Sequence, residues 1–492
     1  MRSFKILMTA ALALGTVTAA QAELQNVEID GSLRIRGNFY HNDDNLLRNG
    51  GNDSAFVEQR TRLGVKADFT DDVSTYVEFD SYNIWGDSFR SNYITGIDGA
   101  GAADIALYQA YIEVNNAYGL PIRTRIGRQE VELGSEWLIG NNDTSSFYRG
   151  LSFDGVRTTY ATDSFSVDLL SLKLGETGRD FGKGDVNLWG VYGSYLGLED
   201  WQFDLYWLYV QEKDVRFVGN GTGLAGAVAG GFLPALPVSD DTDMHTIGLR
   251  GAGTYGAFDL EAEVAYQFGQ INRPNRGFRF FNNNKDLDYD ALAVNIEAGY
   301  TFDMTWTPRV YLGAAYFEGG DSQDNSLRGR LFGSNNNDLA FNRLFSNWEY
   351  SEFIENTSLS NSIIYRAGVS AMPTEKISLL LALSYFEADN AFDNTLGFGI
   401  FDFFNDNKSD TLGWELGLYA DYQYSEDLVF RAGYAHFFGE NGLDDGNLVQ
   451  ANGLGRLFHV ERNRGLFRNL FGNNNGNGAD YDYLYWEAEI SF

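Results

Sequence analysis

Arginine is the residue whose placement carries chemistry in this chain. Arg34, Arg36, Arg60, Arg62, Arg123, Arg125, Arg157, Arg250, Arg309, Arg366 and Arg431 all stand in segments where polar and apolar residues alternate. Leu33 and Ile35 flank Arg34, and Leu63 and Val65 follow Arg62. Successive side chains of a strand point to opposite faces, so each arginine shares its face with polar neighbours. A guanidinium is planar, permanently charged and rich in donors, which suits it to carboxylates and phosphates. A ring of them around a pore favours anions. The same arginines would merely brace the wall if acids such as Asp68, Glu78 and Asp80 share their face. Both readings stay open at this level.

The elements that must position these residues are strands. Alternation recurs from Leu33–Phe39 through Trp201, Phe203, Leu205, Trp207 and Tyr209 to the last ten residues. Tight turns are expected at Thr70-Asp71-Asp72, Tyr118-Gly119, Thr162-Asp163, Gly197-Leu198-Glu199, Thr254-Tyr255-Gly256, Phe302-Asp303-Met304, Pro373-Thr374-Glu375 and Ser425-Glu426-Asp427. Between them lie long loops rich in Asn, Asp and Gly, among them 132–150, 213–242 and 319–360. Short turns on one side and long loops on the other mark a transmembrane β-barrel. Some eighteen strand cores (16–18) run from 28–41 to 481–492, an antiparallel all-β fold with short periplasmic turns and long extracellular loops. A closed barrel satisfies every backbone group inside lipid. About eighteen strands enclose a lumen too wide for side chains alone to fill. Trp85, Tyr118, Trp201, Trp306, Tyr422 and Trp486 suit interfacial girdles.

Composition and the two ends agree with this picture. The 492 residues carry 68 acids and 36 bases, a formal charge of −32, which argues against nucleic acid as a partner. The absence of cysteine removes disulfides, zinc fingers and thiol catalysis. Arg2 and Lys5, the apolar run Ile6 to Leu14 and Ala20-Gln21-Ala22 read as an export signal over 1–22. Residues 23–492 then form one outer-membrane barrel domain, with outer-membrane lipid and lipopolysaccharide around it. Leu484, Trp486, Ala488, Ile490 and the terminal Phe492 share a face. Such an ending resembles the signal read by the barrel-assembly machinery.

One stretch is more specific. Arg125-Ile126-Gly127-Arg128-Gln129-Glu130 is followed by Gly134 and then by Phe153-Asp154-Gly155-Val156-Arg157. Arg125 and Arg128 have odd spacing, so a regular strand cannot turn both inward, and Gly127 could supply a bulge. Together with Tyr108-Gln109-Ala110-Tyr111, these segments resemble the alginate-export family of outer-membrane porins over about 106–160. The resemblance implies an eighteen-stranded barrel with an arginine-rich pore that passes an anionic polysaccharide or oligosaccharide. It also implies that Arg128, Asp154 and Arg157 belong to the pore, with Arg128 against a nearby acid; alternation alone puts Arg34, Arg36, Arg60, Arg62, Arg125, Arg250, Arg366 and Arg431 on the lumenal face. A general or cation-preferring diffusion porin is the alternative, and a structural or adhesive barrel a third.

Other motifs lack context. Gly221-Thr222-Gly223-Leu224-Ala225-Gly226 has no βαβ unit around it, which speaks against a nucleotide site. The apolar stretch Leu224 to Val238 could fold into the mouth as a constriction or pack on neighbouring loops. Glu130, Glu132 and Glu136 read as a solvated loop base rather than a glycosidase pair. No nucleophile elbow or His-x-x-x-His pair is present, so no enzyme activity is expected. No cofactor is expected either, although loop acids such as Asp240, Asp241 and Asp243 could hold calcium. The Asn runs at 282–284, 335–337 and 473–475 read as loop or turn.

Overall fold

A computed structural model describes residues 24–41, 53–86, 104–143, 148, 150–176, 185–216, 239–272, 287–320, 338–353, 359–390, 409–440, 442, 449–450, 459–460 and 480–492. Residues 1–22, expected to be an export signal, the Leu224 to Val238 stretch and the three Asn runs lie outside these residues.

Eighteen strands make the wall. They are β1 (Asn26–His41), β2 (Ser54–Thr70), β3 (Val73–Ile84), β4 (Asp104–Val114), β5 (Ile122–Gln129), β6 (Phe153–Ala161), β7 (Phe165–Glu176), β8 (Asp185–Leu198) and β9 (Trp201–Arg216). The second half holds β10 (Ser239–Tyr255), β11 (Phe258–Asn272), β12 (Leu287–Thr301), β13 (Arg309–Phe317), β14 (Ser362–Thr374), β15 (Ile377–Ala388), β16 (Thr411–Gln423), β17 (Leu428–Gly439) and β18 (Asp480–Ser491). Each pairs antiparallel with its sequence neighbours. The ring closes where β1 meets β18, from Ser32 opposite Ser491 to His41 opposite Asp482. Gly31 and Phe492 exchange two backbone hydrogen bonds of 3.0 Å, so closure leaves no edge at that seam.

The expected short turns all fall on one end of the barrel. The first strand starts there and the last strand ends there. The outward face is apolar: Ile105, Leu205 and Leu312 are each about two-thirds exposed, as suits side chains that face lipid. No helix among the described residues is long and apolar enough to cross a membrane; strands do the crossing.

Two readings need correction. β10 begins at Ser239, so Asp240, Asp241 and Asp243 stand on a strand and not in a loop. Asp243 accepts hydrogen bonds from Tyr209 Oη (2.5 Å) and Gln211 Nε2 (3.0 Å) of β9. The inward face is also not polar throughout. Leu170, Leu172, Leu188, Leu208, Val210, Met244, Ala265, Ala291, Ala293 and Ala315 are buried on the lumenal side of β7 to β13. Strict alternation fails there because this wall has an apolar partner inside the barrel.

Candidate functional site

The lumenal arginines are joined to acids strand by strand. On β1, Arg34 and Arg36 each donate from Nε to Glu487 Oε2 of β18 at 2.8 Å. Arg431 of β17 reaches the other oxygen of Glu487 at 2.7 Å and Glu489 at 2.6 Å. On β2, Arg62 donates to Asp80 of β3 at 3.3 Å. Arg125 pairs with Glu113, and Arg157 grips Asp168 through two bonds of 2.9 and 3.0 Å. Arg250 holds Asp204 and Glu261, each at 2.8 Å. Arg309 bonds Asp259 and Glu297, and Arg366 lies 3.5 Å from Glu297 as well. The result is a lattice of both signs around the wall. Its geometry follows from the pairing register, which sets Arg34 opposite Glu489, Arg36 opposite Glu487 and Arg62 opposite Asp80.

Two loops turn into the barrel. The β5–β6 loop buries Val131, Leu133, Trp137, Leu138 and Ile139. The β13–β14 loop buries Leu339, Ala340, Phe341, Leu344 and Tyr350. They meet in a parallel bridge between Ile139 and Phe345, with Phe345 N–H bonded to Leu138 O and Gly140 N–H to Phe345 O, both 2.8 Å. Trp348 Nε1 donates to Ser135 O (2.7 Å), and Trp137 Nε1 donates to Tyr350 Oη (3.0 Å). Gln267 of β11 clamps Asn342 through two bonds of 2.7 Å. Arg343 is fully buried between the rings of Phe317 (4.8 Å) and Tyr350 (4.9 Å) and donates to Ser346 Oγ and Trp348 O. Burial draws its guanidinium down to about 10, still cationic at neutral pH, and the rings favour that charge.

Where the first loop ends, it touches the arginines. Asp143 accepts from Arg34 Nη1 (3.3 Å), from Arg62 Nη1 (2.9 Å) and from Arg60. Tyr148 lies over Arg34, Arg36 and Arg60, with guanidinium carbons 4.7, 5.3 and 5.9 Å from its ring centre. Tyr108 covers Arg62 at 3.9 Å. Four arginines of β1 and β2 thus converge on one loop carboxylate and two tyrosine rings.

The family described as alginate export matches residues 25–453. The chain belongs to the alginate-export family. No curated protein matches it. Among solved structures it is similar to OccK8 (OprE) of Pseudomonas aeruginosa, with 11% identity, coverage of 95% of this chain and 98% of that one, and a TM-score of 0.54. It is also similar to Pseudomonas aeruginosa OpdL, at 11% identity, 95% and 99% coverage and a TM-score of 0.51. At this identity the likeness speaks for the barrel fold alone. Family and closed barrel together make this an outer-membrane channel.

Within this alginate-export barrel, the residues expected at the pore do not all lie together. Arg34, Arg36, Arg60 and Arg62 cluster, and Arg431 joins them from β17 through Glu487 of the intervening β18. Arg125, Arg157, Arg250 and Arg366 stand elsewhere on the lumenal wall, each with an acid. Arg128 and Asp154 are a correction: their side chains face outward. Arg128 sits opposite outward Ala110 and two residues after Ile126, which is 52% exposed. Asp154 precedes outward Val156 by two. Gly127 does not restore the phase for Arg128. Glu130 and Glu136 are a second correction, being held inside: Tyr108 Oη donates to Glu130 (2.5 Å) and Asn347 Nδ2 to Glu136 (2.6 Å). Sequence reasoning missed Asp143, Tyr148 and Glu487. Glu487 and Glu489 did alternate with apolar residues in the last strand, a signal as good as that of any arginine.

The second loop carries a titratable latch. Its Ser351 Oγ donates to Glu415 of β16, and Glu352 N–H donates to the same carboxyl at 3.0 Å. Burial, with Glu349 beside it, pushes the Glu352 carboxyl up to about 7. A raised carboxyl favours the lodged loop in its neutral form. That contribution is complete below the ordinary carboxyl range and is lost as pH rises through about 7. Current noise from loop motion should therefore grow between pH 5 and pH 8, and Glu352→Gln should reduce that growth. Equal noise at both pH values in the unaltered channel contradicts the latch.

Proposed function

We propose that this channel passes anionic, carboxylate-bearing sugar chains along the arginines of β1 and β2. The observation that supports this reading is Asp143, whose single carboxylate is shared by Arg34, Arg60 and Arg62. A place that binds a carboxylate from a loop has the donors to bind one from a solute. The loop carboxylate competes with the passing one, so each contact stays weak. Conduction requires that balance, since a site must admit a solute and then let it go. Tyr148 and Tyr108 cover the guanidinium faces and leave edges for hydrogen bonding. Outer-membrane lipid, lipopolysaccharide and the barrel-assembly machinery are the partners this reading carries with it.

Recording in planar bilayers tests it. Uronate oligomers should block the small-ion current at lower concentrations than neutral oligomers of the same length. Arg60→Ala with Arg62→Ala should remove that difference. Equal block by both sugars in the unaltered channel would sink the proposal.

A second reading has its own observation. Each arginine of the cluster has an acid partner, which suits a weakly selective or cation-preferring diffusion channel. It predicts a reversal potential near zero, or on the cation side, in a salt gradient.

A further inference from the structure

We propose that Arg128 and Asp154 fix the constriction from outside the barrel, by holding β5 where the chain leaves the wall and turns into the lumen. They are positioning residues, and the inference does not depend on which solute passes.

β5 is short, and it pairs with β4 only from Val114–Thr124 to Ala110–Arg128. β4 continues beyond this point and pairs there with β3 alone, from Leu107 to Asp104. β6 begins at Phe153, opposite Gln129. Above that level, the described residues put no strand between β4 and β7. Among the described residues this leaves a notch, because residues 130–143 run inward.

Arg128 spans this notch. Its Nη1 donates to Leu107 O of β4 at 3.2 Å. Its Nε and Nη2 donate to the two oxygens of Asp154 on β6, both at 2.8 Å. The fork therefore ties β4, β5 and β6 at the last paired level. A planar guanidinium can serve a carboxylate and a carbonyl at once, which an ammonium on the same stem does less well. Next to it, Glu130 N–H donates to Gln109 Oε1 (3.2 Å), a side-chain substitute for the missing strand.

The glycines beside the pair belong to the same turn. Gly127 has φ +136°, and a Cβ there would lie 2.2 Å from Ala110 O. Gly155, directly opposite, would bring a Cβ within 2.3 Å of Ser171 O. Gln129 points inward and is fully buried. Its amide lies 3.4 Å from the carbonyls of Arg125, Gly127 and Gly155. The Gly-Arg-Gln and Phe-Asp-Gly segments are thus one device: glycine permits the turn, glutamine caps it inside and the Arg–Asp fork closes it outside. The chain it launches carries Asp143 and Tyr148 to the arginines of β1 and β2.

The test uses the whole protein in planar bilayers, with heat-modifiability on gels as the measure of barrel folding. Arg128→Ala and Asp154→Asn should keep the folded band. They should raise single-channel conductance and move the reversal potential toward anions, since Asp143 no longer masks Arg34, Arg60 and Arg62. The charge-swapped pair Arg128→Asp with Asp154→Arg should return both readings most of the way. Arg128→Lys keeps the charge without the fork and should give a partial shift, even if the alanine variant does not fold. Lys173→Gln, which breaks a neighbouring ion pair with Glu176 and Asp185, should change neither reading. Wild-type conductance and reversal potential in Asp154→Asn and Arg128→Lys overturn the proposal. So does a charge swap that restores nothing, because the pairing itself would then not be the agent.

Discussion

Glu487→Gln makes the channel more anion-selective and the barrel less stable. Glu487 is almost fully buried and accepts from Arg34, Arg36 and Arg431 at 2.7–2.8 Å. Glutamine keeps the shape but withdraws the charge that three guanidinium groups share. Breaking a buried ion pair by removing one partner costs roughly 3–5 kcal/mol, because the other charge stays behind. Here the charge left behind lines the lumen. Two consequences should appear together: a lower midpoint in chemical unfolding and a reversal potential shifted toward anions. Arg431 retains Glu489 and Arg34 retains Asp143 as acid partners. A stability loss without any shift in selectivity would show that Glu487 lies off the ion path.

Trp137→Ala loosens the packing between the two inward loops, which keep their backbone bridge, and raises conductance. Trp137 is fully buried, lies tilted against Phe317 with ring centres 5.7 Å apart, stacks on Phe341 at 6.4 Å, and donates to Tyr350 Oη. Tyr350 passes the connection to Asn295 of β12 at 3.1 Å, so one indole links both loops to the wall. Truncating a buried tryptophan costs about 3–5 kcal/mol in transfer and cavity terms. The loss falls on the loop packing and spares the strand ladder. The variant should therefore keep heat-modifiable migration, show larger and noisier single-channel steps and lose protection of its loops against protease. Trp137→Phe keeps most of the volume and should behave nearly as the parent.

The wall was legible in the sequence because its signal is local. A strand facing lipid outside and water inside must alternate, and a short turn must carry turn residues. Those rules placed β1 to β18 and the seam at Phe492 without knowledge of any contact. Period alone could not say what a lumenal residue touches. The acids that pair with Arg34, Arg36 and Arg431 come from β18, more than 450 positions from the first two. Nor could it see that the lumen holds its own apolar core. Trp137, Phe341 and Tyr350 sit in segments whose Asn and Gly content reads as hydrated loop. Arg128 failed for a different reason. Its neighbours resembled a known pore segment, but strand phase decides direction, and Ile126 and Ala110 share its phase. The acidic formal charge gave no sign of the lumen either, since the pairing of arginine with acid is a matter of register.

The Ile139–Phe345 bridge joins segments some two hundred residues apart, inside a ring that closes only when the first strand meets the last. Neither loop carries its own lining, so neither can settle until the wall around it exists. Maturation of this protein then has two stages in fixed order, ring first and filling second. Trp137 and Trp348 lie in the filling, and their fluorescence should reach its final value after the gel shift that marks the closed ring. Exchanging one loop with that of a relative should yield a complete ring with an unfilled centre, whereas exchanging both together should carry the filling across as a single heritable piece.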